Sequence, residues 1–146
     1  MCTIHIGRPD SEFLAIALFD RSHPACQDYW DGNWIRSQVE VVAGGFHGRA
    51  YGDLRADELV RFYDRLSNLE KILRGTAEFA TMEGWLSIRV VGDGKGHMTF
   101  ECELQDEPGV GNTLKFQLRL DQTFLPLLLS QLREAIAHFP VLGQAS

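Results

Sequence analysis

The segment 82–139 constrains the fold most, because its hydrophobic periodicity changes from that of strands to that of a helix. Apolar and polar residues alternate in three successive stretches, which begin near Leu86, Met98 and Leu114. A period of two predicts antiparallel strands with one apolar and one solvated face. After Asp121 the apolar residues share one helical stripe: Leu125, Leu128, Leu129, Leu132, Ile136 and Phe139. We therefore predict a helix that lies across the apolar face of a three-stranded meander.

The rest of the chain supplies further elements of the same kinds. Strands are predicted at 3–6, 13–19, 34–43, 46–51 and 78–81, and a second helix at 56–73, with Gly75 placed just past its end. The predicted fold class is therefore α+β, a single domain spanning 1–146. It is an antiparallel β-sheet of about six to eight strands with two α-helices packed on one face. The opposite face carries the polar side chains of the meander: Thr99, Glu101, Glu103, Lys115, Gln117 and Arg119.

Charge and composition exclude several classes of protein. Fourteen basic residues against 20 acidic ones give a formal charge of −6, which argues against non-specific binding of nucleic acid. No apolar run is long enough to cross a membrane, and no signal peptide is recognisable, so we expect a cytoplasmic protein without membrane contact. The three cysteines are odd in number and widely spaced, which implies no disulfide framework. Cys102 is predicted to be a small core residue.

Familiar catalytic and metal-binding motifs are incomplete. The glycine-rich segment 92–97 contains Lys95, but a glycine and then a strand follow it, so a hairpin turn is the better interpretation than a phosphate loop. His23 and Cys26, with Asp28 nearby, have the spacing of half a zinc site, yet no second pair completes it. Glu101 and the neighbouring Glu103 are expected to form a surface of ion pairs with Lys115 and Arg119. We therefore expect no catalytic residue, no cofactor and no metal.

The segment 28–34, with the sequence DYWDGNW, is the strongest local peculiarity. It places three large aromatic residues among carboxylates in a long connection. Such a loop is either a recognition surface, since Tyr and Trp are favoured binding anchors, or a cover over one end of the core. We expect Trp30 and Trp34 to be packed, whereas for Asp28 and Asp31 both interpretations stay open.

Six motifs occur in an order that is similar to a known family. They lie at 28–34, 44–46, 82–86, 92–97, 108–112 and 120–126. Together they resemble the WapI-like immunity proteins, a family of small bacterial proteins, over about residues 28–140, with 1–27 outside the match. The resemblance implies a protein that binds and neutralises the toxin domain of an antibacterial protein, often a nuclease. It implies no catalytic residue.

If the protein binds a toxin domain, the acidic aromatic loop is a candidate for the contact surface. We expect Asp28, Tyr29 and Asp31, helped by Asp106 and Glu107 in a nearby loop, to face the toxin. Two alternatives from other classes stay open. One is a small hydrolase or nucleotide-handling enzyme whose site assembles only in three dimensions, and the other is a ligand-binding homo-oligomer.

Overall fold

A computed structural model describes residues 1–145. Eight strands form two four-stranded antiparallel sheets, each a simple meander in chain order. The first sheet comprises β1 (Cys2–Gly7), β2 (Phe13–Arg21), β3 (Trp34–Ala43) and β4 (Phe46–Arg55). The second comprises β5 (Arg74–Ala80), β6 (Leu86–Asp93), β7 (His97–Gln105) and β8 (Thr113–Asp121). The helices are α1 (Tyr29–Gly32), α2 (Ala56–Ile72) and α3 (Leu125–His138), with a 3₁₀ turn at Gln122–Phe124 before α3.

The predicted α+β class and the number of strands are confirmed, but the strands are divided between two sheets. Helix α2 separates the two sheets along the chain, because it connects β4, the last strand of the first sheet, to β5, the first strand of the second. The helices α2 and α3 pack against each other, α2 also against β5 and α3 against β1. Buried apolar side chains from both sheets and both long helices form one contiguous core. Periodicity predicts which face of a strand is buried, but not which sheet the strand joins.

The alternation in the meander is observed as predicted. Ile88, Phe100 and Leu118 are buried, while the opposite faces of their strands are solvated. Arg89, however, provides the ion pairs of this face: its guanidinium lies 3.0 Å from Glu101 and 3.4 Å from Glu78. Glu101 therefore pairs with the residue directly opposite it on β6, and not with the lysine and arginine of β8.

The end of α2 differs in detail from the prediction. Leu73, and not Gly75, takes the left-handed conformation that ends the helix, with a φ of 64°. Its N–H donates to the carbonyl of Leu69 at 2.7 Å. Gly75 lies inside β5. The Leu73 side chain packs against the core, and that packing offsets the conformational penalty of a non-glycine residue there.

Helix α3 also covers an exposed sheet edge. The Gln131 amide accepts from the backbone N–H of His5 at 2.7 Å and donates to its carbonyl at 2.9 Å. These bonds occupy backbone groups of β1 that would otherwise be open to another strand. Within residues 1–145, no helix has the length and apolar character needed to cross a membrane.

Candidate interaction site

The acidic aromatic segment is built around a buried arginine. Arg55, the last residue of β4, is 0% exposed. Its Nη1 donates to the carbonyl of Trp30 at 2.8 Å and its Nη2 to the carbonyl of Tyr29 at 2.7 Å. Its Nε donates to the Asp57 carboxylate at 2.9 Å. The planar guanidinium thus fixes the backbone of α1 to the end of the first sheet.

Three aromatic rings surround the same cation. The guanidinium carbon of Arg55 lies 5.1 Å from the ring centre of Tyr29, 5.5 Å from that of Trp30 and 4.9 Å from that of Trp34. All three distances are within the range of cation–π attraction. We call these four residues the arginine cage. The cage explains why three large aromatic residues occur within six positions of the sequence.

Two carboxylates at the start of α2, those of Asp57 and Glu58, accept hydrogen bonds from Arg55. Asp57 is buried and bonds to Arg61 at 3.0 Å as well as to Arg55. Glu58 accepts from the backbone N–H of Arg55 and from that of Met82, both at 2.7 Å. Burial raises the pKa of Glu58, although these two hydrogen bonds favour its charged form. Glu58 thereby ties the β4–α2 junction to the turn between β5 and β6.

The segment after α3 holds α1 from the other side. The buried Asn33 amide donates to the carbonyls of Tyr29 and Leu142, at 2.8 and 3.0 Å, and its oxygen accepts from Leu142 N–H at 2.9 Å. Arg21 donates to the carbonyls of Gly32 and Pro140. The backbone of α1 is therefore held from two directions, and its side chains project from a rigid base.

Asp28 and Asp31 occupy different positions on this base. Asp28 caps α1, since its Oδ2 accepts from the Asp31 N–H at 3.0 Å. Both carboxylates are exposed, and Tyr29 between them is half-buried. One ligand atom each from Cys26, Asp28 and Asp31 lies within 4.8 Å of the others. Exposed carboxylates often group in this way without an ion, so this proximity assigns no metal.

The expectation that Trp30 is packed was wrong, because its side chain is 52% exposed. Arg55 donates to the backbone carbonyl of Trp30 and contacts one side of its ring. The rest of the indole faces solvent. Trp34, the first residue of β3 and a member of the cage, is half-buried.

The structure does not bring the two predicted acidic loops together. Asp106 and Glu107 lie in the β7–β8 loop, where Asp106 accepts from the Asn112 N–H at 2.8 Å and lines a cleft with Phe46. Phe46 begins β4, whereas the cage is at its other end. A ten-residue strand spans ~30 Å, so the two loops lie at opposite ends of the first sheet.

Sequence reasoning missed Arg55 as the centre of the site. A signal was present, because Arg55 stands at the N-cap position of α2, where Ser, Thr, Asp or Asn is usual. Because a guanidinium has no acceptor to offer the first N–H groups of a helix, an arginine at that position indicates that its side chain bonds to groups outside the helix. Its two carbonyl partners are 25 and 26 residues away along the chain, which no local pattern reveals.

These features define a small α+β protein of two four-stranded antiparallel sheets, in which a buried arginine lies beneath an acidic, aromatic surface. The sequence profile of the immunity protein WapI-like family matches residues 5–140. The chain belongs to that family. The match confirms the resemblance seen in the motifs and extends it toward the N-terminus to include the end of β1, all of β2 and the connection before α1.

Solved structures of other proteins share the fold. The plant transcriptional regulator PBF-2 matches with a TM-score of 0.52 and 12% identity, covering 94% of this chain and 80% of that one. The MRP1/MRP2 structure from Trypanosoma brucei matches with a TM-score of 0.50 and 11% identity, covering 93% of this chain and 83% of that one. At these identities the likeness describes the fold alone. No curated protein matches the sequence significantly.

Proposed function

We propose that this chain is a non-enzymatic, cytoplasmic immunity protein that binds a bacterial toxin domain and blocks it by direct protein–protein contact. The observation that carries the proposal is membership of the WapI-like immunity family over residues 5–140. The formal charge of −6 is compatible with attraction to a basic domain, such as a nuclease that binds polyanions.

The surface around α1 is our main candidate for the toxin contact. Asp28 and Asp31 are exposed there, and the rigid backbone beneath them reduces the entropy lost when a partner binds. Tyr29 contributes the exposed part of its ring. Asp106 and Glu107 form a separate contact in this proposal, because they lie at the far end of the first sheet.

The experiment begins with an affinity-tagged chain expressed in its native host, from which co-purifying proteins are identified by mass spectrometry. The toxin domain found in this way is then expressed in a sensitive strain with and without the chain. We expect the chain to restore growth and to form a stable complex with the purified toxin domain. A toxin domain that kills equally well in the presence of the folded chain contradicts the proposal.

A further inference from the structure

The arginine cage opens onto the outer face of the first sheet. In the β3–β4 ladder, Trp34 pairs with Arg55 and Arg36 with Asp53. Gln38 then pairs with Tyr51. Because alternate residues of a strand share a face, these three pairs form one continuous surface that runs from the cage along the sheet.

A cleft of about 390 Å³ lies on this surface beside the cage. Tyr51, which is 60% exposed, forms one wall with Phe19. Asp53 and Glu83 supply carboxylates to the lining, which Arg36, Ser37 and Gly52 complete. Phe19 lies on this face because it alternates with the buried Leu18 and shares its side of β2 with Ala17, which pairs with Gln38.

Carboxylates outnumber cations around the cleft and the cage. The exposed or half-exposed acids of this region are Asp20, Asp28, Asp31, Asp53 and Glu83. The two exposed arginines are already engaged. Arg36 makes two bonds with Asp20, at 2.6 and 3.0 Å, and Arg61 bonds to Asp57 at 3.0 Å. The surface therefore combines exposed aromatic rings with an excess of negative charge.

We infer that this face, from Trp30 to Tyr51, is the docking surface for a basic patch of the toxin domain, and that the cleft receives a lysine or arginine side chain. This inference rests on the proposed function and extends it. The rings of Tyr51 and Phe19 suit the apolar stem and the charge of such a side chain. The carboxylates of Asp53 and Glu83 accept charge-assisted hydrogen bonds from its head group.

A second copy of the chain fits this face poorly. A two-fold dimer would place the same acidic patch on both sides of the interface, and like charges across an interface oppose association. A basic protein partner supplies positive charges that complement the carboxylates of this face.

The test measures affinity for the purified toxin domain by calorimetry, using two variants of the cleft and two matched controls. Tyr51→Ala removes an exposed ring from β4, and its control, Leu127→Ala, removes an apolar side chain that is 56% exposed on α3. Glu83→Gln removes one exposed charge, and its control, Glu103→Gln, removes another from the outer face of the second sheet. Unchanged melting temperatures show that all four variants remain folded.

We expect Tyr51→Ala to weaken binding by about tenfold or more, as truncation of an aromatic anchor commonly does. Glu83→Gln should weaken binding at low salt. The effect should be smaller near 0.5 M salt, where the Debye screening length is on the order of a few ångströms. Both controls should bind within about twofold of the parent, as peripheral residues do. Parent-like binding by both cleft variants overturns the docking surface, as does a Tyr51-dependent dimer in ultracentrifugation. Failure of the parent itself to bind overturns the proposed function.

Discussion

The indole of Trp85 lies directly against Gly52, so that a Cβ added to Gly52 would stand 2.4 Å from ring atom Cε2. The Trp85 side chain is fully buried, and its Nε1 donates to the carbonyl of Asp53 at 2.9 Å. This contact joins the turn before β6 to the middle of β4. The absence of a side chain at residue 52 is therefore a requirement of the packing between the two sheets.

Gly52→Ala should destabilise the protein by about 2–3 kcal/mol, because the new methyl group overlaps a ring that has no free space to enter. The measurement is urea denaturation followed by tryptophan fluorescence. Gly45→Ala is the matched control, since nothing lies within 4 Å of its Cβ position, and it should change the free energy of unfolding by less than about 0.5 kcal/mol. Equal stabilities of the two variants would contradict the packing described.

Arg55→Ala should cost about 3–5 kcal/mol, because it leaves the buried Asp57 carboxylate without its closest partner and frees the two carbonyls of α1. Arg55→Lys should recover only part of the loss, since an ammonium group cannot reproduce the fork of three bonds. Arg36→Ala is the control. Its ion pair with Asp20 is exposed and screened by solvent, so the change should lower stability far less than Arg55→Ala in thermal or chemical denaturation.

The strands and helices could be predicted because their residues obey local periods. The arrangement of β6, β7, β8 and α3 depends on alternation and a helical stripe that are visible in a short window. The arginine cage depends instead on contacts between the end of β4 and a loop that precedes β3. A similarly long separation along the chain hides the contact of Trp85 with Gly52. Such long-range contacts decide which aromatic residues are buried, and for this reason exposure was predicted wrongly for Trp30.

Trp30→Ala and Trp34→Ala should differ in their effects on stability. Trp30 is 52% exposed, and its backbone carbonyl still accepts from Arg55 after truncation, so its loss should cost about 1 kcal/mol. Trp34 is half-buried and lies closest to the guanidinium, so its loss should cost about 2 kcal/mol or more. Chemical denaturation of both variants decides the matter, and a greater loss for Trp30 would contradict the exposed position of its ring.

Acid should weaken the turn between β6 and β7. Hydrogen bonds from the Lys95 N–H and the His97 ring lower the pKa of Asp93 from 3.8 to about 2. A carboxyl whose pKa is lower in the folded state stabilises the fold above its unfolded pKa, and this contribution is lost as the pH falls from about 4 through about 2. Asp93→Asn should therefore lose less stability than the parent over that range. The Asp93 titration is measured by carbon NMR, and Asp64→Asn, on the exposed face of α2, controls for the loss of one carboxylate.

The last prediction separates the two roles of Asp28, which caps α1 and also contributes an exposed charge. Asp28→Ala removes the cap and should cost about 1 kcal/mol, whereas Asp28→Ser keeps a cap and should remain close to the parent in stability. Asp31→Asn removes a neighbouring charge without touching the cap acceptor.

If the charge of Asp28 contacts the toxin domain, Asp28→Ser and Asp31→Asn should both weaken binding and protection while the melting temperature stays unchanged. If Asp28 acts only through the cap, Asp28→Ser should protect as well as the parent, and only Asp28→Ala should fail. Melting temperature, affinity and growth protection on the same three variants distinguish the outcomes. Normal affinity and protection in all three would exclude α1 from the interface.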